Sequence, residues 1–214
     1  ALCENSAGLP VINRSTDGFA TVNTSVSLPV SIGVQPPAAN DFCRNQAFYD
    51  LLIGMNPTND NEVYVGGIEI FRTTTAFTGT TSAMWTQHTD WRVNPTDTGN
   101  TAANSLDGVH SDHHVIAFAP GLSSRVVFGN DGGIYYSNDS GNSIGVRNNG
   151  YNVTQFYKGG INQTGGQKLL AGAQDNGSQL ISPAPAAVGS SVEVFGGDGC
   201  WEFIDKQNEF MVTS

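Results

Sequence analysis

The sequence predicts an all-β protein made of four-stranded antiparallel blades arranged as a β-propeller. Three observations lead there. Charged residues are 13% of the 214 residues, about half of the usual ~25%, and the helix formers Lys (three) and Glu (six) are scarce. Glycine (26), with Thr, Ser, Asn and Val, fills the chain instead, which suits short strands joined by turns. Finally, a set of four short apolar segments recurs along the chain with the same turn chemistry between them.

Taken in order, Val11–Ser15 and Ala20–Thr24 read as the last two strands of an earlier unit, so 1–46 is the end of a blade and a linker. The blade of 47–106 runs through Asp50–Pro57, Glu62–Gly67, Ile68–Arg72 and the neighbourhood of Trp85. The polar stretch from Trp91 to Asp107 is an inserted loop. The blade of 107–151 holds His114–Pro120, Arg125–Asp131, Gly133–Ser137 and Ile144–Arg147. That of 152–197 holds Gln155–Gly160, Lys168–Ala173, Gly177–Ile181 and Val192–Phe195, and 198–214 starts a further blade with Cys200–Asp205 and Glu209–Thr213. Asn-Pro, Gly-Asn-Asp-Gly and Ser-x-Asp turns separate the strands. A parallel β-helix would repeat at a shorter period, and a sandwich would not repeat its turns. So few blades imply an incomplete part of a larger propeller, of roughly seven or eight blades. The open edges would be covered by more chain or by a partner protein.

The net charge is −10. So acidic a surface repels nucleic-acid phosphates and anionic lipid, so neither is expected as a partner. No apolar run reaches the ~18 residues of a membrane span, and the first ten residues lack the basic start and apolar stretch of a secretion signal. Cys3, Cys43 and Cys200 have no Cys-x-x-Cys spacing, which argues against a zinc cluster. A Cys3–Cys43 bridge and three free thiols are both open.

Ser15-Thr-Asp17-Gly and Ser137-Asn-Asp139-Ser-Gly141 resemble the Asp box (Ser-x-Asp-x-Gly-x-Thr-Trp) of sialidase-type, BNR-repeat propellers. Phe19 stands at the Gly of the first, and Val22 and Ile144 stand at the closing Trp. A longer succession follows: Val109-His-Ser-Asp-His-His-Val-Ile-Ala-Phe, Gly129-Asn-Asp-Gly-Gly-Ile, Asn148-Asn-Gly-Tyr-Asn-Val-Thr-Gln-Phe-Tyr157, Gly172-Ala-Gln-Asp-Asn-Gly177 and Gly196-Gly-Asp-Gly199. In that order it is similar to the sortilin-like and oligoxyloglucan-hydrolase-like propellers of large secreted proteins, notably of Bacteroidetes. The resemblance implies a secreted or cell-surface location and export by the type IX system. It implies a structural role for Ser15, Asp17, Ser137, Asp139 and Gly141 in turns between third and fourth strands. The hydrolases of this group carry a catalytic Asp just before a blade's first strand, where Asp50 is nearest in place. No second catalytic Asp and no sialidase arginine triad has a match.

Blade connectivity sorts the remaining polar residues. Asp50, Asp112 and Asp198 precede first strands, and Asp131 and Asp175 lie between second and third strands, so all fall on one face, the mouth of the ring. There they would line a site for a sugar, peptide or cation, or each would accept hydrogen bonds from a Gly-rich turn. Recurrence at equivalent places favours turn-fixing. Glycosidic hydrolysis would need two carboxylates about 5–10 Å apart. On an extended segment His110, Asp112 and His114 share one side, a weak metal set, with His113 turned away. Calcium is the cofactor left open, at Asp175–Gly177, though without the spaced ligands of an EF-hand. Trp91, in the inserted loop, is the candidate platform for a sugar ring, whereas Trp85 and Trp201 read as core. The expected function is binding or adhesion toward a glycan or protein. The alternatives are part of a glycoside hydrolase, or a cargo or subunit held by another protein.

Overall fold

The computed structural model describes residues 1–24, 26–32, 41–79, 81–93, 106–151, 154–162, 168–182, 190–207 and 210–213. Most of the inserted loop, 94–105, and Glu209 at the start of the last expected strand lie outside them. The chain forms two compact units, Ala1–Asn149 and Gly150–Ser214. Among the described residues regular structure is almost wholly β: three four-stranded antiparallel sheets with the strand order of propeller blades, and two two-stranded pairs.

The first unit opens with a hairpin of β1 (Leu2–Glu4) and β2 (Pro10–Ile12), in which Cys3 pairs with Val11. Beyond it Arg14 and Asn23 make a single bridge. This differs from the two longer strands expected at 11–24. β2 ends at Ile12 and only Arg14 and Asn23 pair across the turn, while Gly18 and Phe19, between the two expected strands, take left-handed backbone (φ 68°).

The next sheet runs β3 (Leu52–Asn56), β4 (Asn59–Gly66), β5 (Ile70–Thr73) and β6 (Thr86–Gln87). Its central strand is covered on both faces. Val65 and Phe71 pack with Ile12, Val26, Phe42, Ala47 and Trp85, while Tyr64 and Ile70 pack with Val126, Phe128 and Tyr135 of the following sheet. That sheet is β7 (His113–Ala119), β8 (Leu122–Asn130), β9 (Gly133–Ser137) and β10 (Gly145–Val146). Gly54 lets β3 approach β7, because a Cβ there would run into Cγ2 of Ile116.

The second unit holds β11 (Phe156–Ile161), β12 (Leu169–Ala173), β13 (Ser178–Ile181) and β14 (Val192–Phe195), then the pair β15 (Phe203–Ile204) and β16 (Met211–Val212). Trp201 departs from the core role expected of it. It precedes β15, is 69% exposed and carries the Lys158 ammonium 4.6 Å from its ring centroid. Trp85 is buried, with its indole N–H on the Ser27 carbonyl at 2.8 Å. Cys3, Cys43 and Cys200 are free thiols, with Cys3 exposed and Cys43 buried, so there is no Cys3–Cys43 bridge.

Candidate ligand-binding site

Three turns in the first unit share one shape. In the first, Ser15 Oγ donates to Asp17 Oδ1 (2.8 Å) and accepts the Phe19 N–H (2.8 Å). Asp17 then accepts the Thr21 N–H and hydroxyl (2.9 and 2.6 Å). Ser137, Asp139, Gly141 and Ser143 repeat this bond for bond, at 2.8 Å each. The two acids are held below the ordinary carboxylate pKa: Asp17 at about 2 by hydrogen bonds from Thr21, and Asp139 by those of Ser143 and Ser137, which outweigh its burial. The third turn, Thr73–Phe77, has the same two left-handed residues (Ala76 φ 49°, Phe77 φ 62°), with Thr75 where the others have Asp. Sequence reasoning missed it, though Thr73-Thr-Thr75 at the end of a third strand was the signal.

At the other end of these blades lie the loops that enter β3 and β7 and that join β8 to β9. They bring Tyr49, Asp50, Asp112, His114 and Asp131 into one neighbourhood. The Tyr49 hydroxyl donates to Asp131 Oδ2 at 2.8 Å, and His114 Nε2 lies 2.9 Å from Asp131 Oδ1. The Tyr49 and His114 rings meet edge to face, with centroids 4.8 Å apart. A carboxylate oxygen of Asp112 lies within 4.8 Å of one of Asp131. Tyr49 and His114 are solvent-facing, whereas Asp112 and His113 are buried.

Asp50 is fully buried, and neither carboxylate oxygen has a hydrogen-bond partner. Burial first, then the Asp112 carboxylate, push its pKa up to about 8. With no exposed surface it cannot reach a glycosidic oxygen in this conformation.

The histidines do not converge as an extended segment would make them. Asp112 takes left-handed backbone (φ 61°), which breaks the alternation on which that grouping rested. His114 therefore turns to Asp131, while His110 Nδ1 lies 3.2 Å from the Ser111 carbonyl. His113 is buried in the core, where burial holds its pKa down at about 3.

In the loop between β8 and β9, turn-fixing falls to other residues than Asp131. Asn130 Oδ1 accepts the Gly132 N–H (3.0 Å) while its amide donates to the His110 carbonyl (2.6 Å). Asn148 brackets the same turn, accepting from Ile134 N–H and donating to Gly132 O at 2.7 Å each. Asp131, next to Asn130, is thus left to face Tyr49 and His114. Glu69, in the corresponding loop between β4 and β5, accepts the Thr89 hydroxyl (2.7 Å) and the Trp91 N–H (3.2 Å). Burial pushes its pKa up to about 8. It thereby fixes the backbone of Trp91, whose side chain is half exposed.

In the second unit Asp198 Oδ1 accepts the Asp175 N–H at 3.0 Å, and Asp175 is left-handed (φ 53°). That pair fixes its own turn, as the turn-fixing reading describes.

No protein-family model matches the sequence, and no curated protein matches it. Among solved structures the chain is similar to the Swd1 β-propeller domain of Myceliophteria thermophila, with a TM-score of 0.35 and 9% identity over 96% of this chain. It is also similar to an ancestral GH74 enzyme, with a TM-score of 0.25 and 12% identity over 98% of this chain. It spans 59% and 33% of those two chains respectively.

Proposed function

We propose that this chain is part of a secreted or cell-surface β-propeller module that binds a glycan or protein ligand through the loops preceding first strands and joining second to third strands. One observation carries the reading: Tyr49 and Asp131, from two loops, and His114, at the start of β7, are locked into an aromatic–carboxylate patch by two hydrogen bonds and a ring contact. Aromatic edges and a fixed carboxylate are what a sugar ring needs for apolar contact and for hydroxyl recognition. Trp91, held through its N–H by Glu69, extends that face. The buried state of Asp50 supports binding over glycosidic hydrolysis.

The Ser-x-Asp turns, with their shared bonds, support kinship with the Asp-box propellers of sortilin-like secreted proteins. Type IX export and a partner that covers open sheet edges belong to the same proposal. The test is a glycan and peptide array on the purified chain, followed by calorimetry on any hit. Binding that weakens about tenfold or more in Tyr49→Ala and His114→Ala supports the reading. Absence of any ligand at millimolar concentration, or binding indifferent to both variants, overturns it.

A further inference from the structure

The sequence holds two Asn-Gly pairs, Asn149-Gly150 and Asn176-Gly177. Both asparagines are exposed, yet the structure treats the pairs differently. Asn176 is held at both ends: its side-chain amide donates to the Gln174 carbonyl (2.8 Å), and its own carbonyl accepts from the Gln179 amide (2.6 Å). The Gly177 N–H is spent on the Gly197 carbonyl at 2.8 Å. Gly177 is also buried, and a Cβ there would run into the Phe195 carbonyl oxygen.

Asn149 and Gly150 share none of this. They form an exposed turn after β10, and among the described residues neither makes a hydrogen bond. Gly150 is left-handed (φ 78°), and a Cβ there would meet nothing within 4 Å. Asn148, one residue earlier, is clamped by the Ile134 N–H and the Gly132 carbonyl, so the hold on the chain ends there. An asparagine amide carbon is a weak electrophile, and the nitrogen best placed to attack it is the next residue's own. Attack needs that nitrogen free of hydrogen bonding and unshielded by a side chain, and a glycine meets the second condition.

We infer that Asn149 is a site of spontaneous deamidation through a succinimide, and that the fold protects Asn176 from the same reaction. The Gly150 nitrogen gives its proton to water or hydroxide and bonds to Asn149 Cγ. The Cγ–Nδ2 bond then breaks, and Nδ2 takes up a proton and leaves as ammonia. Water adds to one of the two ring carbonyls and breaks that carbon's bond to the ring nitrogen. Opening at Cγ gives aspartate. Opening at the main-chain carbonyl gives isoaspartate, with the chain rerouted through the side-chain carbons. Nothing is oxidised or reduced: one water enters and one ammonia leaves. Either product adds a negative charge to a chain already at −10. Isoaspartate also lengthens the main chain by one methylene, directly after the Asn148 clamp. The reaction needs no ligand, so it stands apart from the proposed binding function.

The experiment is incubation of the folded full chain in mildly alkaline buffer, with peptide mapping by mass spectrometry over time. Expected is an amide-to-acid mass change in the peptide holding Asn149, with isoaspartate among the products. It should be at least about tenfold faster than at Asn176, which reacts only when its turn opens. In chain unfolded by urea the two rates should converge, because both asparagines are then followed by an unprotected glycine. Gly150→Ala should slow the reaction at Asn149 about tenfold or more, with circular dichroism checking the fold. Asn149→Gln should abolish the corresponding acidic species on ion exchange. Equal rates at Asn149 and Asn176 in the folded chain overturn the inference. So does an Asn149 that stays intact in the folded chain, a rate indifferent to Gly150→Ala, or a gap between the two sites that persists undiminished in urea.

Discussion

The hydroxyl of Tyr64, on β4, donates at 2.8 Å to the carbonyl oxygen of Ser140, in the turn that ends the following blade's third strand. The same hydroxyl lies 2.5 Å from Glu62, and the Arg72 guanidinium also donates to Ser140 O and to Asn142 Oδ1. One blade thus supplies the partners that the next blade's turn cannot find within itself. Tyr64→Phe keeps the ring packing against Phe118 and Phe128 and removes only these bonds. It should lower the unfolding free energy by about 1–2 kcal/mol, measured by urea denaturation. A loss indistinguishable from zero would mean that Arg72 alone holds the turn.

The turn itself can be tested by its backbone. Gly141 has φ 79°, and a Cβ there would lie 3.4 Å from Tyr64 Cε1. Gly141→Ala should cost about 1–2 kcal/mol, and Asp139→Ala about 1 kcal/mol. Asp17→Ala, in the solvent-exposed copy of the turn, should cost less than Asp139→Ala. Thermal or urea unfolding of the three variants in parallel gives the order, and an equal cost for both Asp positions would contradict it.

Gly54 makes a sharper prediction about how the two blades meet. Alanine there collides with Ile116, so the strands must separate, and Gly54→Ala should destabilise by about 2 kcal/mol or more. Gly129→Ala is the contrast, since its Cβ would sit 3.5 Å from Val115 Cβ in ordinary contact. It should be near neutral. The double variant Gly54→Ala/Ile116→Ala, which deletes the Cγ2 that the new Cβ meets, should cost less than the two single variants summed.

Stability should also follow pH through two buried groups of opposite sign. Glu69 is raised from 4.5 to about 8, chiefly by burial, so its contribution is full below about pH 4.5 and is lost as pH rises toward 8. His88 is lowered from 6.5 to about 4, again chiefly by burial, so its contribution is full above about pH 6.5 and is lost as pH falls toward 4. Each arm can change by at most about 1.4 kcal/mol per pH unit per group. Glu69→Gln should lessen the slope between pH 5 and 8, where the raised Asp50 also contributes, and His88→Gln should lessen it between pH 4 and 6.5. Unfolding curves across pH 4–9 read both, and unchanged slopes would refute the assignment.

The strands were legible in the sequence because they are short apolar runs punctuated by strong turn residues, as at Gly129–Gly133 between β8 and β9. Connectivity alone placed Asp50, Asp112 and Asp131 at one end of their blades. What stayed hidden was backbone handedness. A single left-handed residue, Asp112, redirects His113 into the core and His114 toward Asp131, and nothing in the side-chain pattern announces it. Likewise Thr75 stands where its sister turns carry Asp, so a search for Ser-x-Asp passes over it. The same blindness exchanged roles between neighbours: Asn130 grips the turn that Asp131 was expected to grip. Neither amide nor carboxylate is marked for that task by type, since both accept from a backbone N–H equally well.

Cys43 gives the molecule a built-in clock. Its thiol lies in the core beside the Asp50 carbonyl (3.6 Å), and burial holds its pKa far above the ordinary thiol range. Closed protein therefore offers no reactive thiolate there, while the exposed Cys3 and the partly exposed Cys200 react with a disulfide reagent ahead of it. After that burst, the slow uptake of reagent counts the moments at which the packing around Phe42, Val65 and Phe71 comes apart.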